Sequence, residues 1–253
     1  MGNDWMSAVF AACVVLASAF SVATATGEWK KLPFKGLIGQ AAFGAAAASA
    51  AFLLFLAGLG RPSLFLEILR DLTSRFFWKA APLVCLAVFL MGYIFLQYRS
   101  AGKRSTEVCL ILAAVSGVVG AAALGAVQKL PLRPLLDTNL TACVFFSLSF
   151  AAASVLTIRA EKATSPAFPT AAAFFFLASM TGYGLLILGE SSDAPEVILL
   201  FSAVGVLTVF GLAVGSFLKS RASEGVSLLL FSGAAAAFEF LLQQFVTAQW
   251  HFF

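Results

Sequence analysis

Charge is the first thing this sequence is short of. Only 11% of its 253 residues are Asp, Glu, Lys or Arg, while 61% are hydrophobic. A soluble domain carries about 25% charged residues, because charge keeps its surface wet. With less than half of that share and a mean hydropathy of +0.97, most of the outer surface must face lipid. Histidine is nearly missing as well. His251, beside the C-terminus, is the single one, and a membrane b-type haem is usually ligated by histidines from within the helices. The chain therefore cannot supply bis-histidine ligation. Four cysteines, Cys13, Cys85, Cys109 and Cys143, sit singly in separate apolar stretches. None has the close spacing of a zinc or iron–sulfur site, so packing is the expected role for each. A glycine-rich phosphate loop, a catalytic triad and a metal-binding motif are also wanting. Covalent catalysis by this chain alone is not expected, and neither a catalytic nor a metal-ligating residue is assigned.

What the sequence does have is a series of long apolar runs. Lipid offers no hydrogen bonds to backbone groups, so only helices or a closed barrel can span it. These runs are continuous rather than alternating, and about twice the length a barrel strand needs. The expected fold is all-α, a polytopic membrane bundle in a single domain with about eight transmembrane helices. Spans are drawn at 4–25, 37–59, 78–98, 107–127, 139–158, 168–189, 195–218 and 225–248. The link at 61–77 fits an amphipathic helix lying in the interface plane. Phe65, Ile68, Leu69, Leu72 and Phe76 share one of its faces, opposite Glu67, Arg70, Asp71, Ser74 and Arg75. The first run ends in Ala23-Thr24-Ala25, which resembles a cleavage site. No Lys or Arg precedes it and it is long for a signal, so it is read as a true span.

Positive loops stay on the cytoplasmic side. Ten of the 16 Lys and Arg residues fall in the odd-numbered loops: Lys30, Lys31, Lys35, Arg99, Lys103, Arg104, Arg159, Lys162, Lys219 and Arg221. The opposite side has Arg61, Arg70, Arg75, Lys79, Lys129 and Arg133. Both termini are thus expected on the outer, periplasmic side of an inner membrane. Trp5, Trp78 and Trp250 would lie at the outer interface and Trp29 at the inner one. Runs of small residues, such as 44–51, Gly117, Gly120-Ala121 and Gly211 with Gly215, suit close helix packing. Phe174 to Phe176 are expected to face lipid or to fill gaps between helices.

Ionisable groups inside a bilayer are costly and therefore informative. Glu239 is the clearest, a third to a half of the way into the eighth span, with Gln243 and Gln244 one turn on. Two readings stand for it: a helix–helix hydrogen bond made by a protonated acid, or a proton acceptor near a quinone or transported ion. Gln40 is the other deep polar residue, in the second span. Lys79, at the start of the third, is either an interfacial snorkel or a hydrogen-bond donor to a quinone carbonyl. The loop at 128–139 holds Lys129, Arg133 and Asp137 in a stretch stiffened by Pro131 and Pro134, and reads either as a docking rim or as a solvated loop.

Met1-Gly2 followed by Trp5, and Leu59-Gly60-Arg61-Pro62 closing the second span, carry a family likeness. With the span number and orientation, the chain resembles the membrane-anchor subunit of dimethyl sulfoxide reductase and related molybdoenzymes. That resemblance implies a subunit anchoring two partners at the outer face: an iron–sulfur electron-transfer subunit and a molybdopterin catalytic subunit. It also implies menaquinol or another quinone bound near that face, with electrons exchanged with the nearest cluster of the partner. The expected quinone-contacting residues are Lys79, Glu239, Arg61 and Gln243. Arg70, Arg75, Lys129, Arg133 and Asp137 are the expected docking residues. Three positions depart from the family pattern: Gly58 stands where a histidine is usual, Ala80 where a glutamate is usual, and Leu242-Gln243 follow Glu239 in place of Gly-Arg. Two other readings compete with this one, a small proton-coupled secondary transporter using Glu239 and a structural anchor without quinone chemistry.

Overall fold

The computed structural model describes residues 4–29, 34–59, 70, 71, 74–99, 102–126, 140–161, 204–206, 208, 209, 211 and 221–248. Among these residues every regular element is helical: α1 (Asp4–Trp29), α2 (Phe34–Gly58), α3 (Arg75–Tyr98), α4 (Lys103–Ala126), α5 (Leu140–Glu161) and α6 (Arg221–Ala248). The first four are long and apolar enough to cross a membrane, and Thr141–Thr157 and Gly225–Phe240 are shorter apolar stretches within α5 and α6. The chain is a multi-pass membrane protein. Of the eight drawn spans, the sixth lies outside the described residues. The seventh is described only around 204–211, where Val204, Thr208 and Gly211 are buried on one face. Gly211 lies against Leu230 and Phe231 of α6.

The bundle is organised around α1. It packs on α2, α4, α5 and α6 and barely touches α3, which packs on α2 and α4 instead. Burial follows the same order: 56% of the apolar window of α1 is buried, against 33% for α2 and α3. Helix association in lipid depends on close backbone approach through small residues, and the buried faces are built that way. On α4, Ala113, Gly117 and Ala121 recur at every fourth position and are fully buried or nearly so. A Cβ at Gly117 would collide with Ser21 Oγ of α1. On α2, Ala41, Ala45, Ala48 and Ala51 line one stripe, and a Cβ at Gly44 would meet Leu90 Cδ1 of α3 at 2.9 Å and Phe20 Cβ of α1 at 3.0 Å. Phe145 of α5 and Phe238 of α6 interlock edge to face, with centroids 5.3 Å apart. The outer faces of α3 and α4 carry Val88, Met91, Phe95, Ile111 and Val115, all exposed, which is the surface lipid requires.

Most of the hydroxyls in these helices do not interrupt them, because they bond back to their own backbone; buried Ser18 Oγ is without a partner among the described residues. Thr24 and Thr26 donate to the carbonyls of Phe20 and Val22, and Ser147, Ser149, Ser154 and Thr157 do likewise along α5. This is why α1 continues past the drawn end at Ala25 to Trp29. The drawn link at 61–77 also ends early. Ser74 is extended (φ −63°, ψ 132°) and its Oγ accepts from the Phe76 amide, so it caps α3. Arg75 and Phe76 thus open the third span instead of closing an amphipathic helix, and the face at 65–69 lies outside the described residues. Pro82 is tolerated inside α3 with its ring against Gly120 of α4.

The expected packing role of the cysteines holds in part. Cys13 and Cys109 are half-buried, whereas Cys85 and Cys143 are exposed, and all four thiols are free.

Candidate functional site

The α1 and α6 helices run antiparallel, so the start of one meets the last third of the other. Glu239 of α6 is fully buried there. Ser7 Oγ of α1 donates to its Oε1 at 2.6 Å, and Gln243 Nε2, one turn along α6, donates to the same oxygen at 3.1 Å. A hydroxyl and an amide thus converge on one carboxyl oxygen, in a place where a bare acid would be costly. Ser7 is the fourth residue of α1, about 4.5 Å along the helix from its first, so Glu239 lies level with the opening turns of α1. Trp5 beside it is 56% exposed.

Of the other expected quinone contacts, Gln243 joins it. Lys79 is half-buried near the start of α3, beside an exposed Trp78. Helices α3 and α6 have at most a sparse contact among the described residues. Among the described residues Gln243 is the expected neighbour that bonds to Glu239. Arg61, Lys129, Arg133 and Asp137 lie outside the described residues, as do Trp250 and His251. Arg70 is exposed, and Arg75 is the first residue of α3. Gln40 is half-buried on α2. Among the described residues no group of three His, Cys, Asp or Glu could hold a metal ion.

The sequence reading missed two partners. Ser7 gave no signal, because a serine near a helix start is unremarkable and its acid lies 232 residues away. At the opposite end of α1, Glu28 Oε2 accepts a hydrogen bond from Tyr93 Oη of α3 at 3.0 Å, and Gln97 shares that tyrosine. Drawing the first span only to Ala25 left Glu28 in a loop. The full helix carries it under Tyr93. From Ser7 to Glu28, α1 rises about 32 Å, close to the roughly 30 Å of a bilayer's hydrocarbon core. One helix thus carries a carboxyl contact near each of its ends, about a hydrocarbon core's thickness apart.

Comparison with protein families, with curated proteins and with solved structures returns no match for this chain.

Proposed function

We propose that this chain is a membrane-anchor subunit of a multi-subunit molybdopterin and iron–sulfur oxidoreductase, and that Glu239 takes one of the two protons released when menaquinol is oxidised near the outer face, the other leaving to water and the two electrons passing to the partner's iron–sulfur clusters. The observation that supports this reading is a fully buried acid level with the opening turns of α1, held by Ser7 and Gln243; on the expected orientation that level is the outer interface. A quinol head group resides at that depth, and a proton taken there has a short way to water. In this reading the redox chemistry belongs to the partners' cofactors, while the chain supplies position and electrostatics. The termini lie on the periplasmic side of the inner membrane, and the residues outside α1–α6 complete an eight-span bundle. Glu239 and Gln243 form the quinone-facing pair, with Lys79 acting at a separate place or as an interfacial anchor.

The test begins with the chains that co-purify. An iron–sulfur subunit and a molybdoenzyme are expected, and isolation of the chain alone would remove this reading. Within the complex, Glu239→Gln keeps an oxygen acceptor for Ser7 and Gln243 but cannot take a proton. Its quinol-linked turnover should fall by roughly 10²-fold with thermal stability unchanged.

A second reading has its own support. The Ser7–Glu239 bond ties the first described helix to the last, as expected of a purely structural anchor. Unchanged turnover in Glu239→Gln would select that reading. A proton-coupled secondary transporter has no comparable observation in its favour.

A further inference from the structure

The Trp29 end of the bundle holds a cavity of about 520 Å³ between α1, α4 and α5. Its size falls in the range of small-molecule sites, about 300–1,000 Å³. The wall is aliphatic along α4 from Leu110 to Val119, with Phe150 of α5 at the back and Trp29 at one side. Glu28 and Glu107 are the charged groups of the lining, and both are half-buried. Both line it at one end, since α1 ends and α4 begins on the same side of the bundle. From Glu107 to Val119 the wall runs about 18 Å along α4, close to the roughly 15 Å of one bilayer leaflet.

We propose that this cavity holds one acyl chain of a phospholipid whose head group carries a primary ammonium, with that ammonium on Glu28 and Glu107. Charge complementarity selects this occupant. Lys103 and Arg104 are exposed within a turn of Glu107, and Lys103 Nζ stands 3.5 Å from Glu107 Oε1. Carboxylates in the lining with cations one turn away match a zwitterionic head group: the phosphate, which joins the glycerol to the ammonium, meets Lys103 and Arg104, and the ammonium folds back onto the carboxylates. A lipid bearing only negative charge would set that charge against the two carboxylates. A quaternary ammonium has no N–H to donate to them.

The full-length protein, equilibrated with equimolar phosphatidylethanolamine, phosphatidylglycerol and phosphatidylcholine and then examined by native mass spectrometry, tests this. One retained phosphatidylethanolamine is expected, enriched roughly fivefold over either competitor. The double variant Glu28→Gln, Glu107→Gln should lose the preference. It keeps the hydrogen bond from Tyr93, since a glutamine oxygen accepts as well, so its helicity and unfolding temperature should stay at wild-type values. Ala114→Phe fills the cavity and should retain no lipid; if it unfolds, the double variant decides. Equal retention of the three lipids, retention of none, or a preference surviving in the double variant would each overturn the proposal.

Discussion

Glu239 receives two donors on one oxygen, from Ser7 across the α1–α6 interface and from Gln243 along its own helix. Interhelical hydrogen bonds in membranes are worth less than hydrocarbon solvation suggests, averaging ~0.6 kcal/mol with a maximum near 1.7. A double-mutant cycle of Ser7→Ala and Glu239→Ala, read by unfolding in mixed micelles, should therefore give a coupling of about 0.5–1.5 kcal/mol. A value near zero would mean that the contact does not hold the two helices together. Glu239 was legible in the sequence because an acid inside an apolar run stands out. Ser7 and Tyr93 were not, because each becomes polar machinery only through a partner on another helix.

Helix positions were legible for a simple reason: a continuous apolar run of about 20 residues has few other ways to satisfy its backbone in lipid. Helix ends were less so, since hydropathy weighs Thr24, Thr26 and Glu28 as polar without registering that each finds an acceptor or donor in the fold. Close packing depends on which glycines meet a neighbour, and spacing alone does not reveal it. At Gly125 a Cβ would land on the backbone of Ala142 in α5, whereas at Gly39 nothing lies within 4 Å. Backbone cannot swing aside as a side chain can. Gly125→Ala should thus destabilise the α4–α5 crossing by about 1–3 kcal/mol. Gly39→Ala should be neutral or stabilising by up to about 1 kcal/mol through its better helix propensity. Thermal unfolding of the two variants beside wild type measures both, and equal behaviour would contradict the described α4–α5 packing.

For the whole molecule, the antiparallel pairing of α5 with α6 has a topological consequence. Phe145 near the start of α5 meets Phe238 in the last third of α6, so Glu161 and Arg221 lie at the same end of the bundle. With both ends on one side, the eight-span reading, which draws two crossings between them, is consistent with this placement. Reporter fusions joined after Glu161 and before Arg221 should therefore report the same compartment, and one joined in the 99–102 turn should report that compartment too. Opposite signals at the first two positions would break the antiparallel arrangement. With the positive-inside bias, the shared compartment is expected to be the cytoplasm.

The central place of α1 also sets a timetable. Synthesis proceeds at ~5–20 residues per second, so the 232 residues separating Ser7 from Glu239 take roughly 10–50 s to make. Throughout that interval the first helix waits in the membrane with the face meant for the last one uncovered. Glu239 in turn enters a bilayer where its hydroxyl partner already stands. The acid's insertion is thus eased by a helix made long before it, and the bundle closes on its oldest member.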